Sequence, residues 1–307
     1  MTENTSAAST TPLVETKNLT KHFPMAGRAK VHAVENVSIS VDRGETLAVV
    51  GESGCGKSTL ANLIIRLLEP TAGSVHLDGH DISGLGTRAM KPHRRKMQII
   101  FQDPFASLDP RRPVGRAVGE PLEIHGVAKG KERQEIVAGL FDRVGLEPHM
   151  MDQFPHQFSG GQRQRISIAR ALTLKPELVI ADEAVSALDV SIQAQVINLM
   201  MELQDEMGLS YLFISHDLAV VERIAHRVAV MYLGQVVEIG PRQAIFENPT
   251  HSYTQRLLDA VPIADPAQRK QRPLQTDEIP SPVWAHGEAP ELVSLKEVSP
   301  GHWVAEE

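Results

Sequence analysis

The residues able to do chemistry sit in short clusters, and the first is Gly51-Glu52-Ser53-Gly54-Cys55-Gly56-Lys57-Ser58-Thr59. Gly51, Gly56, Lys57 and Ser58 meet the pattern G-x-x-x-x-G-K-[ST]. Glycines at this spacing let the backbone fold back so that several N–H groups face one anion. A helix beginning near Lys57 adds its positive end. Lys57 would reach the outer phosphates of a nucleotide, and the Ser58 hydroxyl would sit on Mg²⁺. A second cluster, Asp182-Glu183, ends the apolar run Leu178–Ala181. At a strand end Asp182 can hold magnesium beside Ser58, and Glu183 is placed to orient or deprotonate an attacking water. His216 follows the apolar run Tyr211–Ser215 in the same way, and Gln102 follows Met97–Phe101. Gln102 could touch both magnesium and water, and His216 the γ-phosphate or the water. Ser159-Gly160-Gly161-Gln162 opens a helix and offers either a second anion site or an N-cap.

These clusters need a scaffold that brings strand ends together. Apolar runs at Thr46–Val50, Met97–Phe101, Leu178–Ala181 and Tyr211–Ser215 alternate with helical stretches. That alternation predicts an α/β fold with a mostly parallel, doubly covered sheet, which binds ligands at the carboxyl ends of its strands. Earlier strands are expected over Leu13–Leu19, Val31–Val41 and Ser74–Leu77, with Thr20–Lys30 a polar connection. Helices are expected over Thr59–Leu68, Lys131–Val144, Ser159–Leu174 and Ser191–Met207. Val228–Tyr232 and Gln235–Ile239 read as a hairpin around Leu233-Gly234. Residues 103–170 carry little strand signal and read as a helical insertion. Residues 1–11 read as a disordered leader without a secretory apolar core. From residue 263 a proline-punctuated tail begins, whose apolar residues (Ile279, Val283, Trp284, Trp303) suggest partial packing.

The chain has 307 residues, a net charge of −7 and one cysteine, Cys55. The acidic balance argues against a nucleic-acid groove, and one cysteine excludes disulfides and multi-cysteine metal sites. No apolar stretch approaches bilayer length, so the chain is expected to be soluble and to reach a membrane only through a partner. The thirteen histidines show no metal-ligand spacing and read as surface or core residues. Cys55, near a helix N-terminus, is expected to have a lowered thiol pKa, and thiol reagents are expected to block nucleotide binding.

The set GESGCGKST, FQDP, FSGGQ, LVIADE, SALD and ISHD, in this order, resembles the ATPase subunit of ABC transporters. The resemblance covers about residues 13–262 and implies a P-loop NTPase fold of ABC type, with an antiparallel β subdomain and a helical insertion. It implies ATP phosphates at Gly51, Glu52, Ser53, Gly54, Cys55, Gly56, Lys57, Ser58 and Thr59, and magnesium at Ser58, Gln102 and Asp182. Glu183 would be the catalytic base, with His216 and Lys57 also catalytic. Phe23, in LTKHFP, would stack on adenine. Ser159, Gly160, Gly161 and Gln162 would close on the ATP held by a second ATPase subunit, with Asp189 in the dimer-contacting loop Ser186–Asp189. The helical insertion would grip an integral membrane permease.

IIFQDPFASLDPR, EAVSALDVSIQAQVINL, SHDLAVV and NPTHSYTQRLL are similar to the oligopeptide/dipeptide importer branch, and more to the second of its paired ATPases. The tail would be that branch's C-terminal extension. The resemblance implies ATP-driven import of peptides, nickel, opines or sugars, a periplasmic or extracellular solute-binding protein acting indirectly, and a peripheral place on the cytoplasmic side of the inner membrane. A heterodimer is favoured over a homodimer. Ala184 stands where the family usually has proline, and the tail lacks the cysteines of many relatives, so no iron–sulfur cluster or tail metal is expected. The competing classes are an ABC-type ATPase acting on nucleic acid or the ribosome, and a GTPase; the chain has no long heptad insertion and no N-K-x-D guanine-reading motif.

Overall fold

Thr46–Val50 forms a strand in which all five residues are buried, as an unbroken apolar run demands when both faces of a sheet are covered. The computed structural model describes residues 11–25, 28–103, 108–260, 283–285 and 288–306. Its strands are β1 (Val14–Pro24), β2 (Lys30–Val37), β3 (Ser40–Val41), β4 (Thr46–Val50), β5 (Ala72–Leu77), β6 (His80–Asp81) and β7 (Met97–Ile100). They continue with β8 (Leu178–Asp182), β9 (Ser210–Ile214), β10 (Arg227–Tyr232), β11 (Gln235–Pro241), β12 (Val283–Trp284), β13 (Leu295–Ser299) and β14 (His302–Ala305). The larger sheet has the order β13-β14-β11-β10-β4-β9-β8-β7. Within it β10, β4, β9, β8 and β7 are mutually parallel. The smaller, antiparallel sheet has the order β12-β2-β1-β5-β6, with β3 on β1. This is the expected mostly parallel core with an antiparallel companion.

Side chains alternate across the parallel strands and feed two cores. Ala48, Val50, Val179, Ala181, Phe213 and Val230 face one side. Leu47, Val49, Ile180, Leu212, Ile214 and Met231 face the other, with α1 (Lys57–Ile64) and the antiparallel sheet. Each fully buried aliphatic or aromatic side chain contributes roughly 1.5–3 kcal/mol. The remaining helices are α2 (Thr87–Lys96), α3 (Val114–Ile124), α4 (Gly130–Arg143), α5 (Gly160–Leu172), α6 (Val190–Met207), α7 (Leu218–Ile224), α8 (Arg242–Glu247) and α9 (Ser252–Asp259). Helices α3, α4 and α5 pack on one another beside the sheet.

Several elements differ from the sequence expectation. β1 does not end at Leu19 but runs through the polar stretch to Pro24, because Phe23 pairs with Val31 across a hairpin. Val31–Val41 is two strands rather than one, with Asn36 at φ 54° near the break. Helix α2 was not anticipated: it buries only Met90 and contains Pro92, so it carries no apolar periodicity. Helix α3 hides its buried face (Val114, Ala117, Val118, Leu122) among two glycines and Pro121. The leader's first ten residues and Ile279 lie outside the described residues.

The described tail strands pair into both sheets, although Val283 and Trp303 each stay 40% exposed. β14 pairs with β11, setting Val304 opposite Glu238 and Trp303 opposite Ile239. β12 pairs with β2 through Val283↔Val31 and Trp284↔Lys30. Fully buried Glu238 ties this region together. Its carboxylate meets His302 Nε2 at 2.7 Å and accepts the backbone N–H groups of Thr250 and His251 at 2.9 and 3.1 Å. A buried carboxylate is tolerable when its lone pairs are filled in this way.

Candidate functional site

β4 delivers the chain into the glycine loop at the carboxyl edge of the parallel strands. Gly51 (φ 148°) and Gly56 (φ 107°) are required there by more than their dihedrals. A Cβ on Gly51 would lie 2.2 Å from the Met231 carbonyl oxygen, and one on Gly56 2.0 Å from that of Ala33. The loop is thus pressed against β10 on one side and β2 on the other. Lys57 is buried, and its ammonium donates to the loop's own carbonyls, Gly51 O at 2.7 Å and Glu52 O at 2.8 Å. Helix α1 starts at Gly56 with no side-chain cap and no acidic residue in its first turn. Its leading N–H groups therefore have no side-chain acceptor, and such a helix end suits an anion.

Beside the loop, Ser58 Oγ donates to Asp182 Oδ1 at 2.9 Å. Burial raises the Asp182 carboxyl above its usual range, a push that the Ser58 hydrogen bond offsets and the neighbouring Glu183 charge reinforces. The Ser58 hydroxyl and the buried Asp182 carboxylate are an oxygen donor pair, which fits a hard dication such as magnesium. Gln102 Nε2 donates to Glu183 Oε2 at 2.8 Å, and His216 Nδ1 lies 3.4 Å from the same oxygen. The ends of β7, β8 and β9 thus bring Gln102, Glu183 and His216 together. Glu183 adopts φ 48°, the left-handed region that non-glycine residues seldom enter, while its N–H is held by the Ile214 carbonyl at 3.0 Å. A strained backbone fixed by its surroundings is a recurrent feature of working sites, and nothing in the sequence announced it.

Ser159 and Gln162 bond to each other at the start of α5. Gln162 N–H donates to Ser159 Oγ at 3.3 Å, and Ser159 N–H to Gln162 Oε1 at 2.9 Å, a reciprocal capping box. Their hydrogen bonds stay within the helix start, so the chain's own fold does not join them to the glycine loop. Gly160 and Gly161 begin the helix; a Cβ on Gly161 would meet Ile192 at 2.5 Å. Asp189 stands exposed before α6 with no side-chain capping bond. Phe23 is half-buried near the end of β1, with the Lys21 ammonium 5.2 Å from its ring centroid. Ala184 is buried in the core after Glu183, and the turn there closes through Ser186 N–H and Oγ donating to the Glu183 carbonyl at 3.1 and 2.9 Å.

The expected lowering of the Cys55 thiol pKa is overturned. The residue is 7% exposed, and desolvation pushes the thiol pKa up, outweighing the pull of Lys57 3.9 Å away. Burial beats the helix end because the thiolate would have to form out of water. A raised pKa disfavours the thiolate, the nucleophilic form of a cysteine.

A residue the sequence did not single out also holds the loop. The Tyr253 hydroxyl, from α9, accepts the Glu52 backbone N–H at 3.0 Å. Tyr253 is buried, stacks near Tyr232 with ring centroids 4.3 Å apart, and lies under the Arg256 guanidinium. Tyr253→Phe keeps the ring but leaves a loop N–H without its acceptor, at a cost of about 1 kcal/mol. The expected result is roughly fivefold weaker nucleotide binding with little change in melting temperature; unchanged affinity in a fluorescent-nucleotide titration would show that the hydroxyl does not position the loop.

Two family models match the chain. Residues 34–186 match the model described as "ABC transporter", and residues 237–285 the "Oligopeptide/dipeptide transporter, C-terminal region". Among curated proteins, the "Glutathione import ATP-binding protein GsiA" of Salmonella paratyphi A is 54% identical over 301 residues, covering 96% of this chain and 48% of that protein. Its namesake in Pectobacterium atrosepticum is 54% identical over 310 residues, covering 99% of this chain and 50% of that protein. The chain thus spans about half the length of the curated relatives it matches. Among solved structures, the dimeric ATP-binding cassette MJ0796 bound to ADP and phosphate superposes with a TM-score of 0.68 at 31% identity, covering 75% of this chain and 98% of that one. The cbiO1 protein of Clostridium perfringens, part of the ABC transporter complex cbiONQ, gives 0.68 at 27% identity, covering 77% and 91%.

Proposed function

The chain belongs to the ATP-binding subunits of ABC transporters, in their oligopeptide/dipeptide import branch, and from that premise we propose that it hydrolyses ATP to power the import of a short peptide or related solute through a membrane permease. The observation that carries this reading is the contiguity of a glycine loop, a Ser58–Asp182 pair and a Gln102–Glu183–His216 cluster along one sheet edge. The relatives named for glutathione import put a γ-glutamyl tripeptide first among the solutes to test.

In this reading the N–H groups of Gly51–Thr59 and the Lys57 ammonium hold the phosphates, and Phe23 stacks on the adenine, exchanging its Lys21 contact for the base. Magnesium held by Ser58, Asp182 and Gln102 would neutralise phosphate charge. Glu183 takes a proton from the attacking water. Gln102 and His216 both meet its Oε2, which leaves Oε1 as the oxygen to receive that proton. His216 also contacts the γ-phosphate. An in-line displacement on phosphorus needs mainly positioning and charge stabilisation, and this cluster supplies both.

Ser159–Gln162 completes the site of a second ATPase subunit, consistent with helix-start N–H groups and an Asp189 carboxylate that find no use in the chain's own glycine loop. The dimeric state of the MJ0796 cassette supports such a pairing. Among the described residues no helix is long and apolar enough to cross a membrane. In this reading the chain attaches to the cytoplasmic side of the inner membrane through the permease, with a solute-binding protein on the far side.

The test is reconstitution. The chain, co-expressed with candidate permease subunits of this import branch, should co-purify with them and drive MgATP-dependent uptake of its solute into proteoliposomes. Tight nucleic-acid binding at physiological salt, with no membrane partner recovered, would replace this reading with the nucleic-acid ATPase.

A further inference from the structure

We propose that His22, His32 and Glu35 form a binding site for a divalent transition ion of the zinc type, built into the β1–β2 hairpin. His22 Nε2 lies 2.6 Å and His32 Nδ1 2.7 Å from one Glu35 carboxylate oxygen, Oε2. The two imidazoles face each other with ring centroids 3.9 Å apart and planes inclined by 35°. The side chains are 20%, 6% and 13% exposed respectively. Two imidazole nitrogens and a carboxylate converge on one point that is largely withdrawn from water.

The backbone makes this convergence. His22 and His32 are directly opposed across β1 and β2. Glu35 lies three residues past His32, and on a regular strand it would point to the other face. The pairing slips between Lys21↔Val34 and His22↔His32, so two steps on β2 answer one on β1. The extra residue of that bulge restores Glu35 to the histidine face. The same bulge carries Ala33, whose carbonyl receives the glycine loop.

Two histidines and one acidic oxygen are a ligand set that zinc uses, with a fourth position left for water or another ligand. Imidazole nitrogen favours zinc, nickel, cobalt and copper over magnesium, so this site and the Ser58–Asp182 pair select different ions. Admission of the ion requires both histidines neutral at the ligating nitrogen, and a spread of the ligand atoms to about 3.3 Å, the edge of a tetrahedron with metal–nitrogen bonds near 2.0 Å. The movement is a side-chain adjustment of well under an ångström per group. Trp284, in the tail strand on β2, stands edge-on 6.4 Å from the His32 ring and walls one side. An ion here clamps β1 to β2 at the place where the C-terminal extension joins.

The full chain, stripped with EDTA and dialysed without nucleotide, should take up one equivalent of Zn²⁺ in a calorimetric titration, and its melting temperature should rise. Single His22→Gln, His32→Gln and Glu35→Gln variants should each weaken that binding by at least about tenfold while melting like the parent in EDTA. Asp182→Asn should keep the zinc stoichiometry, which separates this site from the magnesium position. Cobalt(II) offers a reading on the unaltered chain: intense visible absorption from a four-coordinate nitrogen–oxygen site, displaced by one equivalent of zinc. Failure to bind a full equivalent, zinc binding that survives His22→Gln with His32→Gln, or a six-coordinate cobalt spectrum would each overturn the proposal.

Discussion

Glu183→Gln is expected to lower steady-state ATP turnover by about 10²–10⁴-fold, the usual worth of a positioned general base, while MgATP affinity changes no more than a few-fold. The amide keeps the shape of the side chain, so the left-handed turn at φ 48° and the Ser186 bonds that close it persist. Gln102 can still reach the residue at position 183. What disappears is an oxygen basic enough to take a proton from water. Because binding survives and hydrolysis does not, the ATP-bound dimer should accumulate, visible as a doubling of mass in size-exclusion chromatography with MgATP. His216 contacts the same oxygen at 3.4 Å, so a lesser loss on His216→Ala would fit an orienting role. Turnover within about tenfold of the parent in the Glu183→Gln variant would remove Glu183 as the base and shift attention to His216.

What the sequence made legible shares a physical property: the chemistry is contiguous or sits at the end of an apolar run. Gly51–Thr59 is one turn, and its glycine spacing states its own backbone geometry. Asp182-Glu183 and His216 follow buried strands, and parallel strands in one sheet must end along one edge. The features that escaped depend on register or on distance along the chain. Tyr253 reaches Glu52 across 201 positions, and no local pattern links the two. Glu35 joins His22 and His32 only because a bulge breaks the two-residue period on which face assignments rest. Cys55 failed for another reason. Its position near a helix start is legible, but the size of its burial, which decides the sign of the pKa shift, is a tertiary quantity. Helix α2 marks the same limit, since ten residues that bury only Met90 carry no periodic signal.

Lys57→Ala should weaken ATP binding by on the order of 10²-fold or more, since two charge-assisted hydrogen bonds to phosphate are worth roughly 1.5–3 kcal/mol each. The resting geometry explains why the loss is concentrated in binding. Lys57 is 5% exposed, and its ammonium rests on two carbonyls at 2.7 and 2.8 Å, with no carboxylate within ion-pair distance among the described residues. Its charge is felt by the buried Asp182 carboxylate, and a phosphate arriving on the α1 N-terminus would give the ammonium a direct anionic partner. Removing the ammonium relieves the cost of burying a charge in the free protein and takes the donor away from the Gly51 and Glu52 carbonyls, two changes of opposite sign. The melting temperature of the nucleotide-free chain should therefore move by only a few degrees, while its rise on adding MgATP should nearly vanish. Lys57→Arg sharpens the test: it retains the charge, but a planar fork cannot occupy the point between two carbonyls of a closed turn, so affinity should fall there as well. A Lys57→Ala variant that binds MgATP as tightly as the parent would mean that the glycine loop's N–H groups alone hold the phosphates and that the buried ammonium serves only to brace the turn.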